Sequence, residues 1–338
     1  MVTGGLGFIG VHLVNRLAAR DDVSKIVVVD SRAHHHGNIS EHILAQNQKI
    51  EFHIRNIVDD DLMFVLAKGC DLIYHLAAET HVQRSIATPR PFVLSNVIGT
   101  FSVLEAVRRH GCRLVHASTS EVYGDVPEAR INEGYPLNAY SPYAASKLAA
   151  DGMVQSYIHT YGIDAAVLRL FNTYGPGQHF EKVIPMFICS ALCKLQLPIQ
   201  GDGSASRDWN HVEDVSARLV QLLHSRLPVV VCNLASGERM SVNQLADRIM
   251  RLSGGSHVRT ERHAKRPGHV NHQSADAGNS NQYFGNSSIR LERGLENTYE
   301  WYSERMDLWK PLFLRVRSDI ISEMQALEAT VGTQAVAV

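Results

Sequence analysis

Tyr143 and Lys147 stand four residues apart in the stretch Ser141-Pro142-Tyr143-Ala144-Ala145-Ser146-Lys147, a spacing that sets a phenol and an ammonium on one helix face. Ser141 is a good N-cap and a proline suits the first helical position. The sequence therefore predicts a helix that starts here and runs through Ala149, Met153 and Tyr157. An ordinary tyrosine, with a pKa of about 10, is a poor base at neutral pH, whereas a neighbouring cation favours its phenolate. Such a pair could take a proton from an alcohol. A surface Tyr and Lys would show the same spacing, so the surroundings must decide.

A second chemistry-bearing stretch opens the chain, with glycines at 4, 7 and 10 in Thr3-Gly4-Gly5-Leu6-Gly7-Phe8-Ile9-Gly10. Such glycines let the backbone turn tightly and approach a pyrophosphate, and they aim the N-terminus of the following helix at its charge. Lys25-Ile26-Val27-Val28-Val29-Asp30 follows as a buried-type strand ending in an acid, where a carboxylate can hold both ribose hydroxyls of an adenosine. Asp30 would repel a 2′-phosphate and so selects NAD over NADP, with Arg32 the neighbour that argues the other way. Few residues precede Gly4, so the first strand is cut short, as though the chain began late or its start codon were misassigned.

The elements that must position these groups alternate. Strand patterns fall at 71–75, 113–118, 166–170 and 229–233, and helical patterns at Phe92 to His110, Tyr143 to Tyr161 and Val212 to His224. Near-continuous apolar strands separated by helices mean a parallel sheet covered on both faces, a doubly wound α/β (Rossmann) fold whose ligand lies beyond the strands' C-terminal ends. Asp30, Ser118-Thr119-Ser120-Glu121 and Asn172 all stand at such ends. Past Asn172 the elements shorten. Residues 1–172, with about 207–235 returning, form the dinucleotide-binding domain; 173–206 and 236–325 form a smaller substrate-binding lobe; 326–338 is a frayed tail. Ser241-Val242-Asn243-Gln244 has the form of a capping box.

With 338 residues, a net charge of −1 and a pI near 7.0, the chain supports two lobes and implies neither a nucleic-acid groove nor a membrane-binding face. No long apolar stretch suggests a membrane span or signal peptide. Five scattered cysteines without a CxxC pair read as reduced structural thiols in a cytoplasm. His34-His35-His36 lies in a loop pattern without a partner at ligand spacing, and no metal site is expected.

Taken together, these motifs resemble an extended short-chain dehydrogenase/reductase that acts on nucleotide sugars, and within that group the dTDP-glucose 4,6-dehydratases. Beyond the glycine loop, the resemblance rests on His75-Leu76-Ala77-Ala78-Glu79-Thr80-His81, on Asn96 with Gly99-Thr100, and on Ser118 to Gly124. It continues through Tyr143 with Lys147, Asn172 to Pro176, Glu181-Lys182-Val183-Ile184-Pro185, Arg207-Asp208-Trp209 and Arg266-Pro267-Gly268-His269. It implies that NAD lies on Gly4, Gly7, Phe8, Ile9, Gly10, Asp30, Asn56, Ile57, Leu76, Ala77, Ala78, Asn96 and Ser118, with Tyr143 and Lys147 at its nicotinamide end. Tyr143 would deprotonate the sugar 4-hydroxyl, helped by Lys147 and Thr119, and Glu121 would take the C5 proton. Thr80, Asn172, Lys182, Val183, Arg207 and Arg266 would hold a UDP- or dTDP-linked sugar. For Arg207 an ion pair with Asp208 or Asp214 is the competing reading. A homodimer through the helices Phe92 to His110 and Tyr143 to Tyr161 is also implied.

Two positions depart from the family's pattern. Ser120 stands where the hexose dehydratases carry an aspartic acid that protonates the leaving C6 hydroxyl, and Asn56 stands where an acid usually lies beside the adenine. Ser120 keeps open a nucleotide-glucuronate decarboxylase, a dehydratase acting on amino sugars or a 5,6-dehydratase giving an exo-glycal, and a 4-epimerase is a further alternative on the same scaffold. Glu121 speaks for dehydration, because 4-epimerases have no need to touch C5. A nucleotide sensor on the same fold would have no use for Thr119, Glu121, Tyr143 and Lys147 together.

Overall fold

The computed structural model describes residues 1–32, 47–126, 130–255 and 258–335, with side chains as far as residue 326. The loop expectation for His34 to His36 lies outside the described residues. Seven parallel strands form the central sheet: β1 Val2–Thr3, β2 Ile26–Asp30, β3 Ile50–Ile54, β4 Leu72–His75, β5 Arg113–Thr119, β6 Ala165–Leu170 and β7 Val231–Leu234. Their order across the sheet is β7-β6-β5-β4-β1-β2-β3. The order reverses at β1, which pairs with β2 on one side and β4 on the other. A doubly wound sheet opens its ligand crevice beyond the strand ends at such a reversal.

Successive side chains of a strand point to opposite faces, and both faces here are apolar. Ile26 and Val28 pack with helix α1 (Phe8–Ala18) and with the helix Val212–Gln221. Val27 and Val29 pack on the other face, with α2 (Asp60–Ala67), α3 (Gly99–His110) and α4 (Pro142–Tyr161). After β6 the chain enters the smaller lobe, where Asn172–Tyr174, Ser206–His211 and Arg239–Ser241 form a three-stranded sheet. Phe180, Phe187, Trp209, Trp309 and Phe313 fill the core of this lobe. The chain then returns with Val212–Gln221 and β7 to the edge of the large sheet. Ser241 and Gln244 complete both halves of the capping box: Gln244 N donates to Ser241 Oγ at 3.2 Å, and Ser241 N donates to Gln244 Oε1 at 2.9 Å.

Two stretches differ from the sequence reading. The helix expected from Phe92 to His110 is Arg90–Val93, a π-helical turn Leu94–Ile98, and then α3. A π turn adds a residue and redirects the side chains around it, and here Asn96 is fully buried within it. Its amide nitrogen donates to Glu79 O at 3.0 Å and to Ser146 Oγ at 2.8 Å, and its oxygen accepts from Glu79 N at 2.8 Å. The helix Met306–Ala335 runs into the stretch that the sequence reading gave as a tail from 326. The Ser-Glu-Met-Gln-Ala-Leu-Glu-Ala run at 322–329 is rich in helix formers and contains no glycine or proline to stop it.

The glycine loop packs closely against the backbone that follows β4. Gly4 has φ +69°, and a Cβ there would sit 2.6 Å from Ala77 N. We predict that Gly4→Ala combines left-handed strain with this overlap, lowers stability by about 1–3 kcal/mol and weakens dinucleotide binding. Urea unfolding and cofactor retention measure both; an unchanged unfolding midpoint would contradict the packing described.

Candidate active site

A cavity of about 780 Å³ opens at the C-terminal edge of the sheet, between it and the smaller lobe. Every residue that the sequence nominates for the site lines it, apart from Asn96. Asn96 lies behind the wall, tying the Glu79 backbone to Ser146 on α4. The long helix Met306–Ala335 supplies a wall that sequence reasoning missed, through Ile320 and Met324. Their spacing of four on a helix is the only signal for them.

At one end, Gly4 N donates to Val29 O at 2.8 Å and Gly7 N to Gly4 O at 3.1 Å, which curls the loop over β1. Gly7 caps α1 with no side-chain acceptor, so the first N–H groups of that helix face the cavity. Asp30 is pinned at the tip of β2, accepting from Leu6 N at 3.0 Å and Arg32 N at 2.9 Å. Asn56 Oδ1 accepts from Val58 N at 3.1 Å, and Asn56, Ile57, Leu76, Ala77 and Ala78 complete this end. A cradle that a single Cβ would fill, a free helix N-terminus and a carboxylate at the second strand fit a dinucleotide.

At the centre, Ser141 caps α4 by accepting from Ala144 N at 3.1 Å, with Pro142 in the first turn. This fixes Tyr143 and Lys147 against the end of β5. Lys147 is buried and its Nζ donates to Ala117 O at 2.8 Å. Burial lowers its pKa to about 8, against the opposing pull of Asp151. The Tyr143 phenol lies above its ordinary range, chiefly through burial. The Thr119 hydroxyl opposes that rise, while Glu121 and Asp151 add to it. The sequence reading had Lys147 bring the phenol down; in this structure the ammonium is turned onto the Ala117 carbonyl, and the groups that move the phenol are burial, Thr119, Glu121 and Asp151.

Beside them, Thr119 Oγ1 accepts from Glu121 N at 3.2 Å and starts the 3-10 turn Ser120–Tyr123. Ser120 is buried, and its hydroxyl donates to Gln273 Oε1 at 3.0 Å. The Gln273 amide returns bonds to Ser120 O at 2.9 Å and Gly124 O at 3.1 Å. No sequence signal linked positions so far apart. The Ser120 hydroxyl is thus held by a neutral amide, and Glu121 is the acid of this turn.

At the far end lie two buried guanidinium groups, those of Arg207 and Arg266. Among the described residues Arg207 donates only to carbonyls, those of Ser206 at 2.9 Å, Asn271 at 3.1 Å and Val270 at 2.6 Å. The ion pairs with Asp208 or Asp214 do not form. Asp208 accepts from Ser236 N and Gly237 N, and Asp214 from Ile289 N. Arg266 Nε is buried without a hydrogen bond. Burial lowers the pKa of both arginines; Glu121 opposes this in each, joined at Arg207 by Asp125. Buried charge of one sign calls for a counter-ion, and paired donors suit phosphate oxygens. Lys182 Nζ donates to Thr80 O at 3.2 Å across the cleft, at the start of the helix Val183–Leu192.

A doubly wound sheet with a glycine loop, a Tyr-Lys pair on the helix after β5 and a second lobe closing the crevice defines an extended short-chain dehydrogenase/reductase. The chain belongs to the family described as GDP-mannose 4,6 dehydratase, whose model matches residues 1–297. It is 35% identical to the dTDP-glucose 4,6-dehydratase of Mycolicibacterium smegmatis, over 92% of this chain and 95% of that one. Among solved structures it is similar to DesIV, the dTDP-glucose 4,6-dehydratase of Streptomyces venezuelae with NAD and TYD bound. That match has a TM-score of 0.87 and 34% identity over 92% of this chain and 98% of the other. TunA, described as an NAD-dependent NDP-hexosamine 5,6-dehydratase, matches with a TM-score of 0.81 and 30% identity, over 90% of this chain and 97% of its own. No helix among the described residues is long and apolar enough to cross a membrane.

The Lys147 pKa gives a pH dependence. Its charged form is present below about pH 8 and is lost above it, and kcat/KM reports the free enzyme. We predict that kcat/KM falls as pH rises through about 8; a profile still climbing beyond that point would contradict the role given to the ammonium.

Proposed function

We propose that this chain is an NAD-dependent nucleotide-sugar 4,6-dehydratase that acts on a dTDP- or UDP-linked hexose. The observation that carries this is one cavity holding Tyr143, Lys147, Thr119 and Glu121 together, with two guanidinium groups that lack carboxylate bonds beyond them. Arg207 and Arg266 bind the diphosphate, with Asn172 and Lys182 beside it. Bound on the glycine loop and Asp30, NAD supplies a hydride acceptor for C4 and later a donor for C6. Tyr143 removes the 4-hydroxyl proton, Thr119 holds the same oxygen and Lys147 steadies the charge.

The C4 ketone makes the C5 proton acidic, and Glu121 takes it. The C6–O bond then breaks, the C5–C6 double bond forms, and the departing hydroxyl leaves as water with a proton. With Ser120 tied to Gln273, Glu121 hands over the proton that it has just taken. C5 regains a proton when the double bond is reduced, giving a 4-keto-6-deoxy sugar.

A homodimer and a cytoplasmic location belong to the same reading. Val93, Leu94 and Ile98 are exposed before α3, as is Tyr161 at the end of α4, at 49%, 44%, 42% and 53%. Leu94 also lines the cavity, so Val93, Ile98 and Tyr161 are the apolar groups that the two helices assigned to the dimer leave exposed elsewhere. Five unpaired cysteines suit a reducing compartment. We predict that Ile98→Arg shifts the protein towards monomer in sedimentation velocity; a wild type that sediments as a monomer at micromolar concentration would contradict the dimer.

For the chemistry, general acid–base groups contribute about a hundredfold or more. We predict that Glu121→Gln loses at least about that factor in dehydration while still oxidising C4, so that reduced nicotinamide absorbance builds up. Ser120→Ala should keep most of the rate. A large loss in Ser120→Ala would return proton delivery to the hydroxyl. Loss of carbon dioxide from a nucleotide glucuronate, with no water lost from any hexose, would replace dehydration with decarboxylation. A product with a C5–C6 double bond in place of a methyl group would assign 5,6-dehydration.

A further inference from the structure

Behind Lys147 lies a row of buried charged groups that proton removal from the sugar does not itself use. Tyr143, Lys147 and Asp151 recur at every fourth position of α4 and share one face of it. Asp151 is fully buried. Its Oδ2 accepts from Arg169 Nε, on β6, at 3.1 Å. Its Oδ1 stands 3.7 Å from Nε2 of His116, on β5; burial raises the Asp151 pKa, and the Ser118 hydroxyl, Arg169 and Lys147 oppose that rise. The same Nε2 lies 3.5 Å from Lys147 Nζ. One imidazole therefore separates the ammonium from the carboxylate.

The other titratable groups facing this row add no charge at neutral pH. His75, on β4, lies with its ring centre 5.2 Å from that of His116 and is bonded to Thr3 and Thr100. Burial and the Lys147 charge hold both imidazoles below the usual histidine range. On the cavity side stands the Tyr143 phenol, held above its usual range. Arg169 reaches on to Tyr123 OH at 2.9 Å, and that hydroxyl donates to Asn233. Two buried cations thus share a single buried carboxylate.

We propose that Asp151 is the shared counter-charge of Lys147 and Arg169, and that it positions the Lys147 ammonium for C4 oxidation while Arg169 competes for it. A buried cation is stable only beside an opposite charge or strong acceptors, and Lys147 otherwise has the Ala117 carbonyl at 2.8 Å and His116 Nε2 at 3.5 Å. The inference rests on the assignment of Tyr143 and Lys147 to C4 oxidation.

The two partners of Asp151 give opposite consequences. Asp151→Asn leaves both cations without the carboxylate, so Lys147 gives up its proton at lower pH. Arg169→Gln removes a competitor and a repelling charge, so Lys147 keeps its proton to higher pH. General loosening of the core would not move one titration in two directions.

The test is nuclear magnetic resonance of the full chain labelled at lysine Cε, with the Lys147 signal assigned by its loss in Lys147→Arg. An opposite charge close by shifts a titration by about 1 unit or more. The midpoint should fall by that amount in Asp151→Asn and rise in Arg169→Gln, and the alkaline limb of kcat/KM should follow it. In the double variant, whose two amides can bond each other, it should lie between. An unmoved midpoint in Asp151→Asn, or a fall in Arg169→Gln, overturns the proposal, and if one single variant fails to fold the other and the double are read alone. Turnover by Tyr143→Phe would instead remove the C4 assignment, so the two failures are distinguishable.

Discussion

Lys147 carries a charge into a place that water barely reaches, and the fold around it has to answer for that charge. Its Nζ bonds the Ala117 carbonyl near the end of β5, which joins the catalytic helix to the strand that delivers Thr119 and Glu121. The Ser141 cap sets where α4 begins and hence how far along β5 the ammonium lands. Were the helix to start a residue later, Tyr143 and Lys147 would rotate by about 100° and leave the cavity. Cap, helix and strand end therefore form one device.

The same electrostatic demand recurs at the other end of the cavity. Arg207 and Arg266 are pulled towards neutrality by burial; Glu121 opposes this in both, and Arg207 also has Asp125 and three carbonyls. The diphosphate proposed for them would satisfy them without altering the oxidising end. Glu121 stands between the two cationic ends and also bears on the Tyr143 phenol, so binding at the arginines and proton transfer at the sugar share one carboxylate. The glycine loop adds the sterics: Gly4 lies against the Ala77 backbone because only hydrogen fits there.

Much of this was legible in the sequence because its signals are local. A glycine loop before an apolar helix, strands of Val and Ile, a Ser-Pro start before Tyr143 and a Ser-x-x-Gln box at 241 each act through neighbours a few residues away. Strand β3, Ile50-Glu51-Phe52-His53-Ile54, was not read as a strand. It forms an edge of the sheet and carries polar side chains where a central strand would not. The π turn at Leu94–Ile98 was hidden because its residues also suit an α-helix. Partners brought together by the tertiary fold left no trace: Gln273 on Ser120, Asp151 between Arg169 and Lys147, Ile320 and Met324 on the cavity wall. Desolvation was invisible for the same reason, and it is what keeps the Tyr143 phenol high.

The central claim is that Tyr143 and Glu121 act in succession on one sugar, first at C4 and then across C5 and C6. It is tested most directly by following the C4 hydrogen, using a dTDP- or UDP-hexose deuterated at C4 in ordinary water and reading the product by mass spectrometry and NMR. The account predicts a product lighter by one water, with the deuterium on the C6 methyl carbon and a solvent proton at C5. Deuterium retained at C4 of an inverted sugar, or product formed without loss of water, would contradict it.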